Sequence, residues 1–169
     1  MNGEGIYEMK LRIADVFQDN MVIQRRKVLT VFGECGEAGE VAVTVNDAPV
    51  CRQRLKKGKF RIKIPPLEAA EDVVLTVGDR RFEHVDIGEV WIAGGQSNME
   101  FSLEKAEQGE KIWRETQDPH FRMYTSGRYS CEKERENCHG SELAWDRWIS
   151  CENIYTKKFS AVAFFSVWN

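Results

Sequence analysis

The sequence predicts an all-β, jelly-roll-like sandwich followed by the incomplete start of an α/β domain. Two observations predict this order. Short runs of alternating apolar and polar residues, separated by turn signals, fill residues 8–88. A continuous apolar run, a glycine turn and a segment with helical spacing come next. We therefore predict a sandwich domain at 1–87 and a partial second domain at 88–169, with the boundary near Ile87–Gly88.

The strands of the sandwich follow from their period of two. Valines alternate with polar or small residues at 40–45, and Phe60, Ile62 and Ile64 alternate with basic residues. The sequence predicts strands at 28–32, 40–45, 60–64 and 73–77. Glycine, proline and Asn-Asp pairs between these runs supply the turns.

The charge pattern argues against a nucleic-acid partner. The chain has 24 Lys and Arg against 27 Asp and Glu, a net charge of −3, whereas phosphate binders usually carry a basic excess. A local basic run extends from Arg52 to Lys63 and alternates with apolar residues. We interpret it as the solvated outer face of a strand pair rather than a phosphate track.

The second part of the sequence reads as strand, loop, helix and strand, the opening of a parallel α/β unit. The run 89–93 lacks alternation and predicts a strand buried on both faces, so Trp91 is expected in the core, as is Phe101. A helix is predicted over 99–116, with a break at Gly109, and a strand over 121–125. Residues 126–143 are polar and predict a loop. The last predicted helix begins near Ala161, is capped by Ser160 and is stapled by Phe159.

The cysteines and histidines do not predict a metal centre. The five cysteines match no CxxC pattern, and their odd number leaves at least one unpaired, so we expect a mostly reduced chain. Cys138 adjoins His139, but no second ligand pair follows at zinc spacing. These cysteines are Cys35, Cys51, Cys131, Cys138 and Cys151.

No targeting or membrane segment is visible in the sequence. The first 20 residues lack the apolar core of a signal peptide. The longest apolar stretch, 159–168, is shorter than the about 20 residues that span a bilayer. The prediction is a soluble protein without a membrane partner, cytoplasmic by default.

The segment most informative about chemistry is Gly94–Met99. It lies between the predicted buried strand and the helix, where open α/β sheets bind their ligands. A serine there can present its hydroxyl to a cleft, and backbone N–H groups can stabilise an oxyanion. Two interpretations stay open from spacing alone: Ser97 is an acyl-transfer nucleophile, or it caps the helix after a glycine turn. Gln96 and Asn98 either line a pocket or hydrogen-bond the turn.

Residues 88–101 resemble the nucleophile block of the sialate O-acetylesterases, within the SGNH (GDSL-like) hydrolases. Acetyl xylan esterases of that superfamily carry a similar Gly-Gln-Ser-Asn-Met. Upstream, residues 17–25 resemble the family's opening segment, and 58–60 and 65–67 resemble its later strands. Residues 159–165 resemble the start of its next helix. The resemblance therefore implies a flavodoxin-like SGNH fold for the second domain.

The resemblance implies a two-step serine esterase that removes O-acetyl groups from sialic acid or a related sugar. Ser97 would be the nucleophile and donate one oxyanion hydrogen bond through its backbone N–H, with Gly95, Gln96 and Asn98 around the pocket. No metal or organic cofactor is implied. The expected partner is an O-acetylated sugar.

The chain departs from the family pattern in its histidines. The family's base belongs to a late Asp-x-x-His pair, whereas this chain has only His84, His120 and His139, none in that motif. Glu136 precedes His139 at the same spacing, but in a polar loop region, and we interpret this as chance. We therefore expect the N-terminal portion of an esterase, inactive alone because the Asp and His of the triad are missing.

Two further interpretations remain open. The chain could be a noncatalytic β-sandwich that binds carbohydrate or another partner, with an incomplete α/β appendage. An exposed edge of a partial sheet would also invite self-association, or a second chain could complete that sheet. Trp145 and Trp148 could stack on sugar rings, although packing within a loop is favoured.

Overall fold

Eight strands between Leu11 and Gly88 form two sheets around one apolar core, in a computed structural model that describes residues 10–126 and 147–168. The predicted strands at 28–32, 40–45, 60–64 and 73–77 are all present, with longer bounds. The strands are β1 Leu11–Ile13, β2 Val22–Gln24, β3 Leu29–Cys35, β4 Gly39–Val45, β5 Ala48–Leu55, β6 Gly58–Ile64, β7 Ala70–Val77 and β8 Arg80–Gly88.

The two sheets divide the strands unequally. One sheet has the order β1-β3-β6, and the other has the order β2-β8-β7-β4-β5. The pairs within them are antiparallel except for β2 and β8, which run parallel with Val22 opposite Asp86. The β-sandwich prediction is therefore consistent with the observed architecture.

The period of two explains the packing of this first core. In β6, Phe60, Ile62 and Ile64 point inward and are buried, while Arg61 and Lys63 between them are exposed. At one corner the sheets meet, because the Gln53 side chain of β5 accepts from the Lys63 N–H and donates to the Arg61 carbonyl, at 3.4 and 2.9 Å. The edge strands β5 and β6 of the two sheets thus lie side by side at this corner.

A second, smaller core follows Gly88. It contains helix α1 (Gly109–Glu115), helix α2 (Ala161–Trp168) and a two-stranded sheet of β9 (Arg122–Met123) with β10 (Ile149–Ser150). Leu103 and Phe164 are completely buried at its centre. Three 3₁₀ helices complete it, at Ser97–Glu100, Leu103–Lys105 and Ile154–Lys158.

The predicted start of the last helix is confirmed. Helix α2 begins at Ala161, and the Ala163 N–H donates to Ser160 Oγ at 3.3 Å. Phe159 packs against the second core just outside this cap, as a hydrophobic staple does.

Three expectations for the second part are wrong. Residues 89–93 form no strand, because no strand of the described chain runs beside them. The helix predicted over 99–116 is two 3₁₀ turns followed by α1, which begins at Gly109 instead of breaking there. A Cβ at Gly109 would collide with the Leu103 carbonyl oxygen, so the chain turns tightly before the helix. The strand predicted over 121–125 is two residues long and antiparallel to its partner.

Several sequence features lie outside the described residues. These are Cys131, Glu136, Cys138, His139 and Trp145, with most of the predicted polar loop. Cys35, Cys51 and Cys151 are described and have free thiols. Burial raises the pKa of the Cys151 thiol to about 11.

Within the described ranges, no helix combines the length and the apolar character needed to cross a membrane.

Candidate functional site

The Gly94–Met99 segment lies on the surface, between the end of β8 and the second core. It begins after five residues that have no regular structure, and it enters a 3₁₀ turn at Ser97. Ser97 is exposed, and none of the hydrogen bonds among the described residues uses its Oγ. A solvent-facing hydroxyl at this position is accessible to a substrate.

The turn does not use Ser97 as a helix cap. Gln96 occupies the cap position, and its side chain makes no capping hydrogen bond within the described chain. The turn is closed by the backbone, with the Met99 N–H donating to the Gln96 carbonyl at 2.8 Å. Of the two interpretations of Ser97 from sequence, helix capping is therefore not what the structure shows.

Gly95 allows the Met99 side chain to lie close to the backbone of the turn. A Cβ at Gly95 would lie 2.6 Å from Met99 Cγ, so any side chain there would displace Met99. Because Gly95 has no Cβ, the Met99 side chain can fold back against the turn. Gln96 and Asn98 are both exposed beside it.

The N-terminal end of the exposed run is fastened to the sandwich. Glu89 accepts from Gln24 Nε2 at 2.9 Å and from Arg25 Nε at 2.6 Å, and these hydrogen bonds lower the pKa of its carboxyl. The Val90 N–H donates to Gln24 Oε1 at 2.9 Å. These contacts end at Val90, so the chain leaves the sandwich there.

The C-terminal end is fastened to helix α2. The Ala161 N–H donates to the Phe101 carbonyl at 2.8 Å, and the Leu103 N–H donates to the Phe159 carbonyl at 2.9 Å. Ser102 and Ser160 form an antiparallel bridge between these two bonds. The Gly94–Met99 segment is thus held on both sides, at the sandwich and at the start of α2.

The aromatic and aliphatic residues around the segment are exposed, contrary to expectation. Trp91 is 70% exposed, Ile92 98% and Phe101 46%. Val162 and Trp168 of α2 are exposed as well. No strand of the described chain lies beside Trp91 and Ile92 to cover them.

The two described histidines both pair with aspartates of the sandwich. His84 Nδ1 lies 2.7 Å from Asp72 Oδ1, and both side chains are exposed on the surface of the sandwich. His120 follows α1, and its Nδ1 lies 2.8 Å from Asp86 Oδ2. This hydrogen bond to the carboxylate raises the pKa of His120.

Asp86 is the anchor between the two cores. Its side chain is 6% exposed, and it accepts from the Asp72 N–H as well as from His120. Arg122 Nη2 lies 2.9 Å from the same Asp86 oxygen, and the Arg122 side chain is only 8% exposed. Arg122 also donates to the carbonyls of His84 and Pro119. The sequence patterns above do not predict this network, although an aspartate within the apolar run 85–87 is a signal for a buried polar partner.

A cleft of about 640 Å³ opens beside this network. Its lining includes His84, His120, Arg122, Arg147 and Trp148, and it does not include Ser97. The Trp148 indole N–H donates to the Val16 carbonyl at 2.9 Å, and its ring packs against Tyr124. Trp148 therefore packs within the protein, as the sequence favoured. Both described histidines therefore line a cleft that Ser97 does not line.

The described residues do not gather the side chains of a metal site. No group of three or more His, Cys, Asp or Glu with suitable placement occurs in 10–126 or 147–168.

Comparison with known proteins gives a likeness among solved structures. No family model matches the chain, and no curated protein matches it. Among solved structures, the chain is similar to a carbohydrate acetylesterase from Xanthomonas citri, with a TM-score of 0.78 and 25% sequence identity. The alignment covers 92% of this chain and 36% of that protein, so the chain spans about a third of its length. The chain therefore has a fold like that of a carbohydrate esterase.

Proposed function

We propose that this chain carries the sandwich and nucleophile segment of a serine-type esterase that removes O-acetyl groups from a carbohydrate. The observation that carries the proposal is the structural likeness to a carbohydrate acetylesterase across 92% of the chain. The resemblance of residues 88–101 to the SGNH nucleophile block supports the same function. O-acetylated sialic acid or a related sugar is the substrate class that this resemblance favours.

In this proposal Ser97 Oγ attacks the acetyl carbonyl and releases the sugar hydroxyl, and water then hydrolyses the acetyl-serine. The Ser97 N–H and the Gly95 turn would face the oxyanion, with Gln96 and Asn98 beside the pocket. The exposure of Ser97 and the absence of a cap bond in its turn support this role.

The proposal places the catalytic base outside the described residues. His84 and His120 are paired with Asp72 and Asp86, and both line a cleft that excludes Ser97. The sequence also lacks the Asp-x-x-His pair of the resembled family. Since a serine without a base is a weak nucleophile, we expect the chain alone to be nearly inactive. The boundary near Gly88 would then separate a sandwich domain from a hydrolase domain that further polypeptide completes.

The exposed apolar surface gives this domain arrangement a physical rationale. Val90, Trp91, Ile92 and Phe101 would be the strand and turn that neighbouring parallel strands cover. A second chain or a copy of this one could supply that cover, and self-association is the expected behaviour of the chain alone.

Chemical rescue tests the proposed nucleophile. Imidazole is small enough to reach an exposed serine and can act as the missing base. We expect a fluorophosphonate probe to add once to the chain, at Ser97, faster with imidazole than without it. The adduct should be absent from Ser97→Ala and retained in Ser166→Ala, a matched exposed serine on α2. Intact-mass and peptide mass spectrometry provide the measurement.

Acetate release from acetylated sugars is the companion assay. The chain without imidazole should release no more acetate than Ser97→Ala does. Turnover that needs Ser97 but not imidazole would show that a base lies within the chain. If imidazole promotes no Ser97-dependent adduct, then Ser97 is not the nucleophile. That result would favour the noncatalytic carbohydrate-binding module.

A further inference from the structure

The consecutive strands β5 and β6 concentrate positive charge on a chain that is acidic overall. Residues 52–63 contain seven Lys and Arg and no Asp or Glu, whereas the whole chain has a net charge of −3. Such asymmetry within one short segment marks a surface that attracts anions.

The strand pattern places five of these side chains on the outward faces of their own strands. In β6, Lys59, Arg61 and Lys63 are exposed, and the residues between them are buried. In β5, Arg52 and Arg54 are exposed on either side of Gln53. Outward side chains two residues apart on a strand lie about 7 Å from each other.

The Gln53 side chain holds the two rows of cations next to each other. Its amide bridges to the backbone of β6 at Arg61 and Lys63, which holds β5 beside β6 across the corner between the sheets. The outward arginines of β5 and the outward row of β6 therefore flank the same corner. We call this surface, with Arg52, Arg54, Lys59, Arg61 and Lys63, the basic face.

Acidic neighbours only partly offset the basic face. Glu40 lies 3.6 Å from Arg52 in an exposed pair and stands opposite Arg54 in the ladder. Glu34 stands opposite Lys59 on β3. Arg61 also lies over the Phe32 ring, 5.7 Å from its centre, so one flat aromatic side chain adjoins the cations. Exposed pairs of this kind contribute little, and an incoming anion can compete with them.

We infer that the basic face binds an anionic polysaccharide, one whose carboxylate or sulfate groups recur along an extended chain. Cations about 7 Å apart along each strand, in two rows that flank one corner, fit an extended polyanion better than a small anion, which needs a concave site. The choice of a glycan over a nucleic acid rests on the proposed function. The face would hold an acidic substrate polymer, while the esterase site acts on its acetyl groups.

A binding titration of the full chain tests this inference. The probes are polygalacturonate, heparin, uncharged dextran and a DNA duplex of matched charge, followed by fluorescence anisotropy at low salt. We expect at least one of the two anionic glycans to bind and dextran not to bind. Affinity should fall at least about tenfold between about 50 and about 200 mM salt, as counterion release requires.

A matched pair of variants locates the binding. Arg52→Gln, Arg54→Gln, Lys59→Gln and Lys63→Gln together should weaken glycan binding at least about tenfold. The control combines the same change of charge at four exposed lysines elsewhere, and it should bind nearly as the parent does. These lysines are Lys27, Lys105, Lys111 and Lys158. Thermal unfolding within a few degrees of the parent shows that both variants fold.

Three results would overturn the inference. One is equal weakening in the control, which would indicate only net charge. Another is binding of neither polygalacturonate nor heparin, and the third is tighter binding of DNA than of either glycan. Because the titration does not involve Ser97, the Ser97→Ala chain should bind equally well. A failed esterase assay would therefore leave this result intact, and the reverse also holds.

Discussion

Strand β6 and the segment at 89–93 are both rich in large apolar side chains, but they differ completely in burial. Ile62 of β6 has no exposed surface, whereas Ile92 is 98% exposed. The β6 pattern alternates and needs a partner on one face only, which the opposite sheet provides. The run at 89–93 does not alternate and needs cover on both faces. The difference shows that an apolar run specifies a requirement for burial, and that its neighbours decide whether the requirement is met.

The largest effect is expected where that requirement is met. Ile62→Ala should lower the free energy of unfolding by about 2–5 kcal/mol, because it removes buried surface and leaves a cavity. Urea unfolding followed by circular dichroism provides the measurement. Ile62→Val is the graded control, with an expected loss of about 0.5–1.5 kcal/mol. A loss below about 1 kcal/mol for Ile62→Ala would contradict a rigid first core.

The sequence predicted the first core well for a physical reason. In β4 and β6 the period of two is carried by the local residues themselves, and burial then follows from any sheet that packs against them. The 3₁₀ turns around Ser97 and Leu103 could not be predicted in this way. They depend on a close approach of the Leu103 carbonyl to Gly109, where only a glycine fits. They also depend on backbone hydrogen bonds to residues near 160, more than fifty positions away. The location of Ser97 in a surface turn was predictable, but the pairing of His120 with Asp86 was not.

The contact between the two cores provides the next test. Asp86→Asn removes the carboxylate that Arg122 and His120 share, and it leaves the largely buried Arg122 guanidinium without its charged partner. The expected loss is about 1–3 kcal/mol in the free energy of unfolding. Glu83→Gln is the control on the same strand, because its pair with Arg81 is exposed and should cost under about 1 kcal/mol. Equal losses for the two variants would argue against Asp86 as the anchor.

A smaller effect is expected from pH. The hydrogen bond to Asp86 raises the pKa of His120 above its ordinary value of 6.5, and Glu71 adds to this while Arg122 opposes it. The stabilisation from protonated His120 is therefore fully present below about pH 6.5 and is lost as the pH rises through the folded-state pKa. Because the side chain is 42% exposed, solvent screens the pair and the contribution stays under about 1 kcal/mol.

Comparison with His120→Gln isolates this contribution. The difference in unfolding free energy between the parent chain and the variant should shrink from pH 6 to pH 9. Urea titrations at intervals of half a pH unit provide the measurement. A difference that grows with pH would mean that neutral His120 is the form the folded chain prefers.

The smallest effect on folding should come from the same chemical change as the largest. Ile92→Ala removes as many carbon atoms as Ile62→Ala, but the side chain is already in solvent, so unfolding free energy should change by less than about 0.5 kcal/mol. The change should appear instead in association. If Ile92 belongs to a surface that another polypeptide covers, then sedimentation at rising concentration should show weaker self-association in Ile92→Ala than in the parent. Loss of stability comparable to that of Ile62→Ala would mean that Ile92 is buried by the chain itself, and the contrast between the two apolar runs would disappear.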